Sequence, residues 1–294
     1  MSDMEDRKWT GTTDGNSTMH RWLIGLLRHT DVRVVYLFAY VFVVPVYLFL
    51  PGFRPIYHYF RRQWHYGPLR AFMKAYRNHC MFAQVVIDRF AIYAGQHFHI
   101  DIEGHEHYER LSSQKAAFVQ LSSHIGNYEL AGYSLTSANK TIHALVFSGE
   151  KASVMENRRK MFASKNIDMI AVREDMSHLF LIDQALRQGG IVSMPADRIF
   201  GSPKAVKVRL LDGDAALPQG PFSVASMRGL DVVAVNVMKS STKGYTIHVT
   251  PLPYDKQTPR RQQIEQLAQG YASELERMLR LYPTQWYNFF EFWT

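Results

Sequence analysis

"KAAFVQLSSHIGNYELAG", residues 115–132, carries the reading from which the rest of the chain follows. Ala116 to Leu121 is a short apolar run with the length of a buried strand. Ser122-Ser123-His124 leads out of it, Ile125-Gly126-Asn127 makes a turn, and Tyr128-Glu129-Leu130 enters a helix. Strand, turn and helix in that order form the repeating unit of an α/β fold. In open α/β sheets ligands gather outside the carboxyl ends of the strands, so His124 falls where a ligand would sit.

The flanking sequence repeats the alternation. "HFHIDI" (97–102) alternates polar and apolar residues, while "TIHALVFS" (141–148), "IDMIAV" (167–172) and "GIVSMP" (190–195) are short and apolar. Helical stretches are expected over Gly126–Ser137, Lys151–Ser164 and Met176–Gln188, the last ended by Gly189-Gly190. "KAVKVRLL", "DVVAVNVM" and "YTIHVTPL" add strands, the last two joined by the polar turn "KSSTKG". Glu265, Leu267, Tyr271, Leu275, Met278 and Leu279 mark a final helix before the aromatic tail "YPTQWYNFFEFW". The expected fold is α/β, with a mixed, largely parallel β-sheet flanked by helices and an N-terminal membrane-associated helix. Three parts follow: a flexible tail over 1–18, a membrane anchor with interfacial helices over 19–95, and a catalytic domain over 96–294.

The anchor rests on "VVYLFAYVFVVPVYLFL", Val34 to Leu50, which contains no charge and ends at Pro51-Gly52. It is a little under the roughly 20 residues that span a bilayer. Tyr36, Tyr40 and Tyr47 suit headgroup level, and a helix apolar on every side points to lipid over a packed core. Spanning and dipping both remain open, and arginines on either side of the run are nearly balanced. Beyond it, Phe72, Tyr76, His79 and Ala83 lie near one helix face and Arg70, Lys74 and Arg77 nearer another, as in an interfacial helix or an ordinary amphipathic one.

Of 294 residues, 47% are hydrophobic and 20% charged, which excludes wholesale disorder and allows a sizeable core. The single cysteine, Cys80, rules out an intramolecular disulfide and a cysteine-based metal site. A formal net charge of +8 favours an acidic partner: anionic lipid, an acidic carrier protein or nucleic acid. No nucleic-acid motif accompanies the charge.

Two groups of residues invite chemistry. His97, His99, Asp101 and Glu103 share one face of a strand, as metal ligands would, but any half-buried strand shows a polar face of that kind. No metal is expected there. His124 and Glu129 are the sharper pair. Were Gly126–Glu129 the first turn of a helix, Glu129 would fold back toward the imidazole. A neutral imidazole accepts a proton at neutral pH, and a carboxylate on its other nitrogen fixes the tautomer. By spacing alone, a core histidine beside a helix-start glutamate is the better reading of His-x4-Glu. Arg173 and Arg198 each carry a planar guanidinium suited to an anion or a carbonyl, and each is equally readable as solvated. Gly220-Pro221 reads as a helix start, and Arg158, Arg159, Lys160 and Lys165 as a basic helix face.

"LSSHIGNYELAG" resembles the active-site segment of the bacterial lipid A biosynthesis acyltransferases, the lauroyl/myristoyl type, within the lysophospholipid acyltransferase superfamily. The likeness extends to the apolar N-terminal segment, to "GGIVSMPADRIFGSPKAVKVRLLDGDAALPQGPFSVAS", and to the Pro-x-Gln-Trp of the tail. It implies an acyltransferase in which His124 is the general base and Glu129 its orienting partner. Gly126, Asn127, Arg173, Asp197 and Arg198 would then face substrate. It further implies an acyl carrier protein as donor, docking on the basic helix, and a lipid A precursor as acceptor. No cofactor is required, and the location would be the cytoplasmic side of the bacterial inner membrane. Arg198 stands where glutamine is commoner, and the Glu-Gly-Thr-Arg phosphate motif of glycerolipid acyltransferases is missing. An aminolipid, a polyene lipid, or water in a thioesterase are the alternative acceptors.

Overall fold

The computed structural model describes residues 17–293 except 148–154, 157, 160, 161, 163, 164, 174 and 200–203. Most of the expected tail, much of the expected helix over Lys151–Ser164, and Lys160 lie outside the described residues. Nine strands and ten helices are described: α1 (Ser17–Leu27), α2 (Val32–Phe38), α3 (Val44–Tyr47), α4 (Phe53–Arg62), α5 (Pro68–Tyr93), β1 (His99–Glu103), α6 (His105–Ser113), β2 (Phe118–Ser122), α7 (Glu129–Ser134), β3 (Ile142–Phe147), β4 (Ile167–Val172), α8 (His178–Arg187), β5 (Ile191–Pro195), β6 (Ala205–Leu210), β7 (Gly213–Pro218), α9 (Gln219–Met227), β8 (Asp231–Ser241), β9 (Gly244–Pro251) and α10 (Arg260–Leu281).

Seven strands form one sheet in the order β1-β9-β8-β2-β5-β3-β4. Every neighbouring pair is parallel except the hairpin β8–β9. The alternation of side chains along β2 and β8 makes the two halves of the core. Val119, Leu121, Val232 and Ala234 face Phe222, Leu275 and Met278 of the C-terminal helices. Phe118, Val233, Val235 and Val237 face the other way, toward Tyr108, Leu111 and Leu130. Burial on both faces is why these strands read as continuous apolar runs.

"KAVKVRLL" leaves the main sheet. As β6 it pairs antiparallel with β7, a strand the sequence reading did not anticipate. Leu211-Asp212 joins them, with Leu211 at φ +53°, and the Asp212-Gly213 dipeptide was a turn signal in the sequence.

The apolar run at 34–50 is broken. α2 ends at Phe38, a π-helical turn covers Ala39–Val43, and α3 begins at Val44 with Pro45 in its first turn. Pro45 has no N–H to give, and its ring crowds the carbonyl four residues earlier, so the preceding turn widens. Among the described residues no helix is long and apolar enough to cross a membrane. Nor is the run apolar toward lipid on every side. Val32, Val35, Tyr36 and Ala39 pack on Ile87, Phe90 and Ala91 of the 26-residue α5. Val34, Leu37, Phe38, Val41, Phe42 and Val46 are exposed, and Phe49 is 89% exposed.

Candidate functional site

β2 delivers His124 at the carboxyl end of a central strand, and β5, its parallel neighbour, delivers Asp197 at the same end. The two side chains meet. His124 Nδ1 lies 2.7 Å from Asp197 Oδ1, and the backbone N–H of His124 donates to Asp197 Oδ2 at 2.7 Å. A carboxylate can only accept, so the proton belongs on Nδ1 and the lone pair on Nε2, at the opposite edge of the ring. The Asp197 side chain is 1% exposed and that of His124 is 14%, so the ring reaches solvent while its partner does not.

The expected partnership of His124 with Glu129 is not what forms. Gly126 takes φ +53°, a left-handed conformation, so Gly126–Glu129 is not a helical turn and α7 starts only at Glu129. A Cβ at Gly126 would lie 1.9 Å from the Val237 carbonyl oxygen, so the close approach is of backbone to backbone. The N–H of Asn127 donates to that same carbonyl at 2.8 Å. The chain is turned aside, and Glu129 points into the protein. There its carboxylate meets Arg89 Nε at 3.0 Å and hydrogen-bonds Arg158. Tyr93 Oη approaches at 3.5 Å.

Asn127 is also placed inside. It is 1% exposed, and its amide donates to Tyr245 Oη at 3.4 Å. Tyr245 in turn donates to Asp88, on which Tyr36 and Lys239 also converge. Asn127 therefore ties the motif loop to a buried ion-pair network instead of facing substrate as expected. Burial pushes Asp88 up and Lys239 down, each against the pull of the other's charge.

Asp197 likewise differs from its expected substrate-facing role, because both its oxygens are engaged by His124. Arg198 stays in the site. Its Nη2 donates to the Tyr287 carbonyl at 2.7 Å, and its charge acts on the imidazole. Arg173 does not join it. It follows β4, the edge strand three positions from β2. At ~4.8 Å per strand that is about 14 Å away. Arg158, expected on a solvated face, is buried against Glu129, while Arg159 is exposed and paired with Glu156. The α9 helix starts at Gln219, with Gly220 and Pro221 in its first turn.

Electrostatics follow the geometry. Burial lowers the His124 pKa, Arg198 lowers it further, and Asp197 opposes both. Burial alone would raise the Asp197 carboxyl, but His124 and Arg198 hold it below the usual carboxylate range. Burial would likewise raise Glu129, and Arg89 and Arg158 outweigh it. The result is a neutral imidazole on an ionised carboxylate, beside arginines. It can take a proton from a hydroxyl and return it.

The tail closes the site from the other side. Gly126 N–H donates to the Gln285 carbonyl at 2.8 Å, and Tyr287 N–H to the His124 carbonyl at 3.2 Å. The Gln285 side chain accepts from Lys239 N–H and donates to its carbonyl, both at 2.8 Å. The sequence marked the Pro-x-Gln-Trp ending, but nothing in it placed that ending against residues 124–126. Arg89 was missed altogether; one arginine in a long amphipathic helix carries no local signal.

Residues 80–294 match the family model described as "Bacterial lipid A biosynthesis acyltransferase". No curated protein matches the chain. Among solved structures, the 1-acyl-sn-glycerophosphate acyltransferase PlsC from Thermotoga maritima is 14% identical, with a TM-score of 0.39. That similarity covers 91% of this chain and 99% of the other.

Proposed function

Because the chain belongs to the bacterial lipid A biosynthesis acyltransferase family, we propose that it moves a fatty acyl chain from an acyl carrier protein thioester to a hydroxyl of a lipid A precursor. His124 Nε2 is the base and Asp197 orients it. The imidazole takes the hydroxyl proton as the oxygen attacks the thioester carbonyl. The tetrahedral intermediate collapses, the C–S bond breaks, and the imidazolium returns its proton to the departing sulfur. The observation that carries this reading is the 2.7 Å contact between His124 and Asp197 at the carboxyl ends of adjacent parallel strands. Arg198, next to the pair, is suited to an acceptor phosphate or the developing oxyanion. A net charge of +8 favours an acidic carrier protein as the donor's vehicle. The exposed apolar face of α2 and α3 favours apposition to the cytoplasmic surface of the inner membrane, with the helices lying in the interface.

The test is to incubate the protein with bacterial membranes and an acyl carrier protein bearing a labelled acyl chain. Label is expected in a phosphorylated glycolipid, and its appearance should vanish with His124→Ala. Label in an aminolipid or a polyene lipid would replace the acceptor. Free fatty acid as sole product would make the protein a thioesterase.

A further inference from the structure

A shallow, open groove of about 330 Å³ lies between the α1–α2 loop and the β8–β9 turn. Arg28, His29, His97 and Lys243 line it, with Asp31 and Gln96. Among the described residues its one ion pair is Lys243 Nζ to Asp31 Oδ2, at 2.8 Å. One carboxylate thus faces two permanent cations and two imidazoles. The carboxyl-terminal end of a helix, here that of α1, normally repels an anion through its free carbonyls. Here Gln96 Nε2 donates to the Leu27 carbonyl at 2.7 Å and to the Thr30 carbonyl at 3.0 Å, so those lone pairs are engaged. Apart from Asp31, itself paired with Lys243, the charged side chains lining the groove are cationic.

Its surroundings say which anion. Trp22 and Leu26 of α1, and Val34, Leu37 and Phe38 of α2, are exposed directly before and after this loop. A soluble anion would gain nothing from them. A phospholipid brings its phosphate and its acyl chains together. We propose that the groove is a headgroup site for an anionic bilayer phospholipid, which sets how the N-terminal helices lie against the membrane. It rests on the membrane apposition argued above. It differs from an acceptor site: His97 precedes β1, three strands from β2, so the groove is on the order of 14 Å from the catalytic strand.

The test is cosedimentation of the full-length protein with vesicles of phosphatidylcholine alone or with phosphatidylglycerol added. Wild type should favour the anionic vesicles. A double Arg28→Gln, Lys243→Gln variant should lose about fivefold for each charge removed, and so about 25-fold for the pair. Its thermal transition and its turnover of a soluble short-chain acyl thioester should be unchanged. If the double variant misfolds, Arg28→Gln alone carries the same test at about fivefold. Retained anionic preference in the folded variant would overturn the proposal, as would a loss of turnover on a dispersed acceptor with vesicle binding intact. Displacement from vesicles by equimolar inorganic phosphate would make it a free-anion site instead. Equal binding of wild type to both vesicle kinds would sink the groove but leave the membrane reading. No binding to either would remove both.

Discussion

Asp197 and Glu129 are both buried carboxylates near the motif histidine, and their surroundings give them different work. Asp197 accepts from the His124 ring and backbone. Asp197→Asn keeps the size but loses the fixed Nδ1–H tautomer, so turnover should fall by about 10²–10⁴ with a small change in stability. Glu129→Gln strands Arg89 and Arg158, both buried, without a countercharge. Urea unfolding should show a loss of about 3–5 kcal/mol. If instead Glu129→Gln stays stable and loses turnover while Asp197→Asn works normally, the glutamate is the orienting group after all. pH dependence follows from the same contacts. The His124 pKa is depressed by burial, so the acid limb of kcat/KM should lie below the ordinary imidazole value of ~6.5. Stability has the same sign for all three groups. Each is depressed in the folded state, so the unfolded chain takes up protons first as pH drops. The contribution of His124 is complete above ~6.5, and those of the two carboxylates above ~4; each is lost toward its folded value. Melting temperature against pH should therefore fall on the acid side, and less steeply in Asp197→Asn.

At the scale of elements, the site is a loop held between strands and tail. Gly126 must sit at φ +53° with the Val237 carbonyl against it. Gly126→Ala adds both backbone strain and a clash, and should cost at least about 1–3 kcal/mol with loss of turnover, measured by thermal melts and acyl transfer. Gln285 is the matching contact from the tail. Its side chain satisfies both backbone groups of Lys239, a residue buried in mid-sheet. Gln285→Ala leaves an N–H and a carbonyl orphaned, at about 1–3 kcal/mol each. Because the Gln285 backbone also holds Gly126, turnover should drop faster than stability alone explains. A variant with wild-type stability and turnover would show that the tail does not support the loop.

The whole molecule has one face that water does not suit. The segment from α2 to just past α3 buries one side on α5 and leaves Phe38, Phe42 and Phe49 exposed. A contiguous exposed apolar surface of this kind marks an interaction site. Phe38→Ser with Phe42→Ser should weaken vesicle cosedimentation severalfold, while stability changes by no more than about 0.5 kcal/mol because neither ring is in the core. Unchanged vesicle binding would assign that face to something other than lipid. The buried network of Tyr36, Asp88, Lys239, Tyr245 and Asn127 joins this N-terminal layer to the motif loop. The N-terminal helices and the loop after β2 therefore share one buried frame.

Several features were readable in the linear order: the run of short apolar strands, the helix ended by Gly189-Gly190, the β8–β9 hairpin, and a histidine leaving the end of a buried strand. Each depends on residues close together in the chain, through periodicity, turn chemistry or burial on two faces. What stayed hidden depends on strand order. β5 lies beside β2 and β4 three places away, so Asp197 reaches His124 and Arg173 does not, and no local pattern records that order. Glu129 shows the same limit from the other side. Only four residues separate it from His124, yet a single left-handed glycine, held in place by a carbonyl from β8, turns it toward Arg89 and Arg158, both distant in the chain.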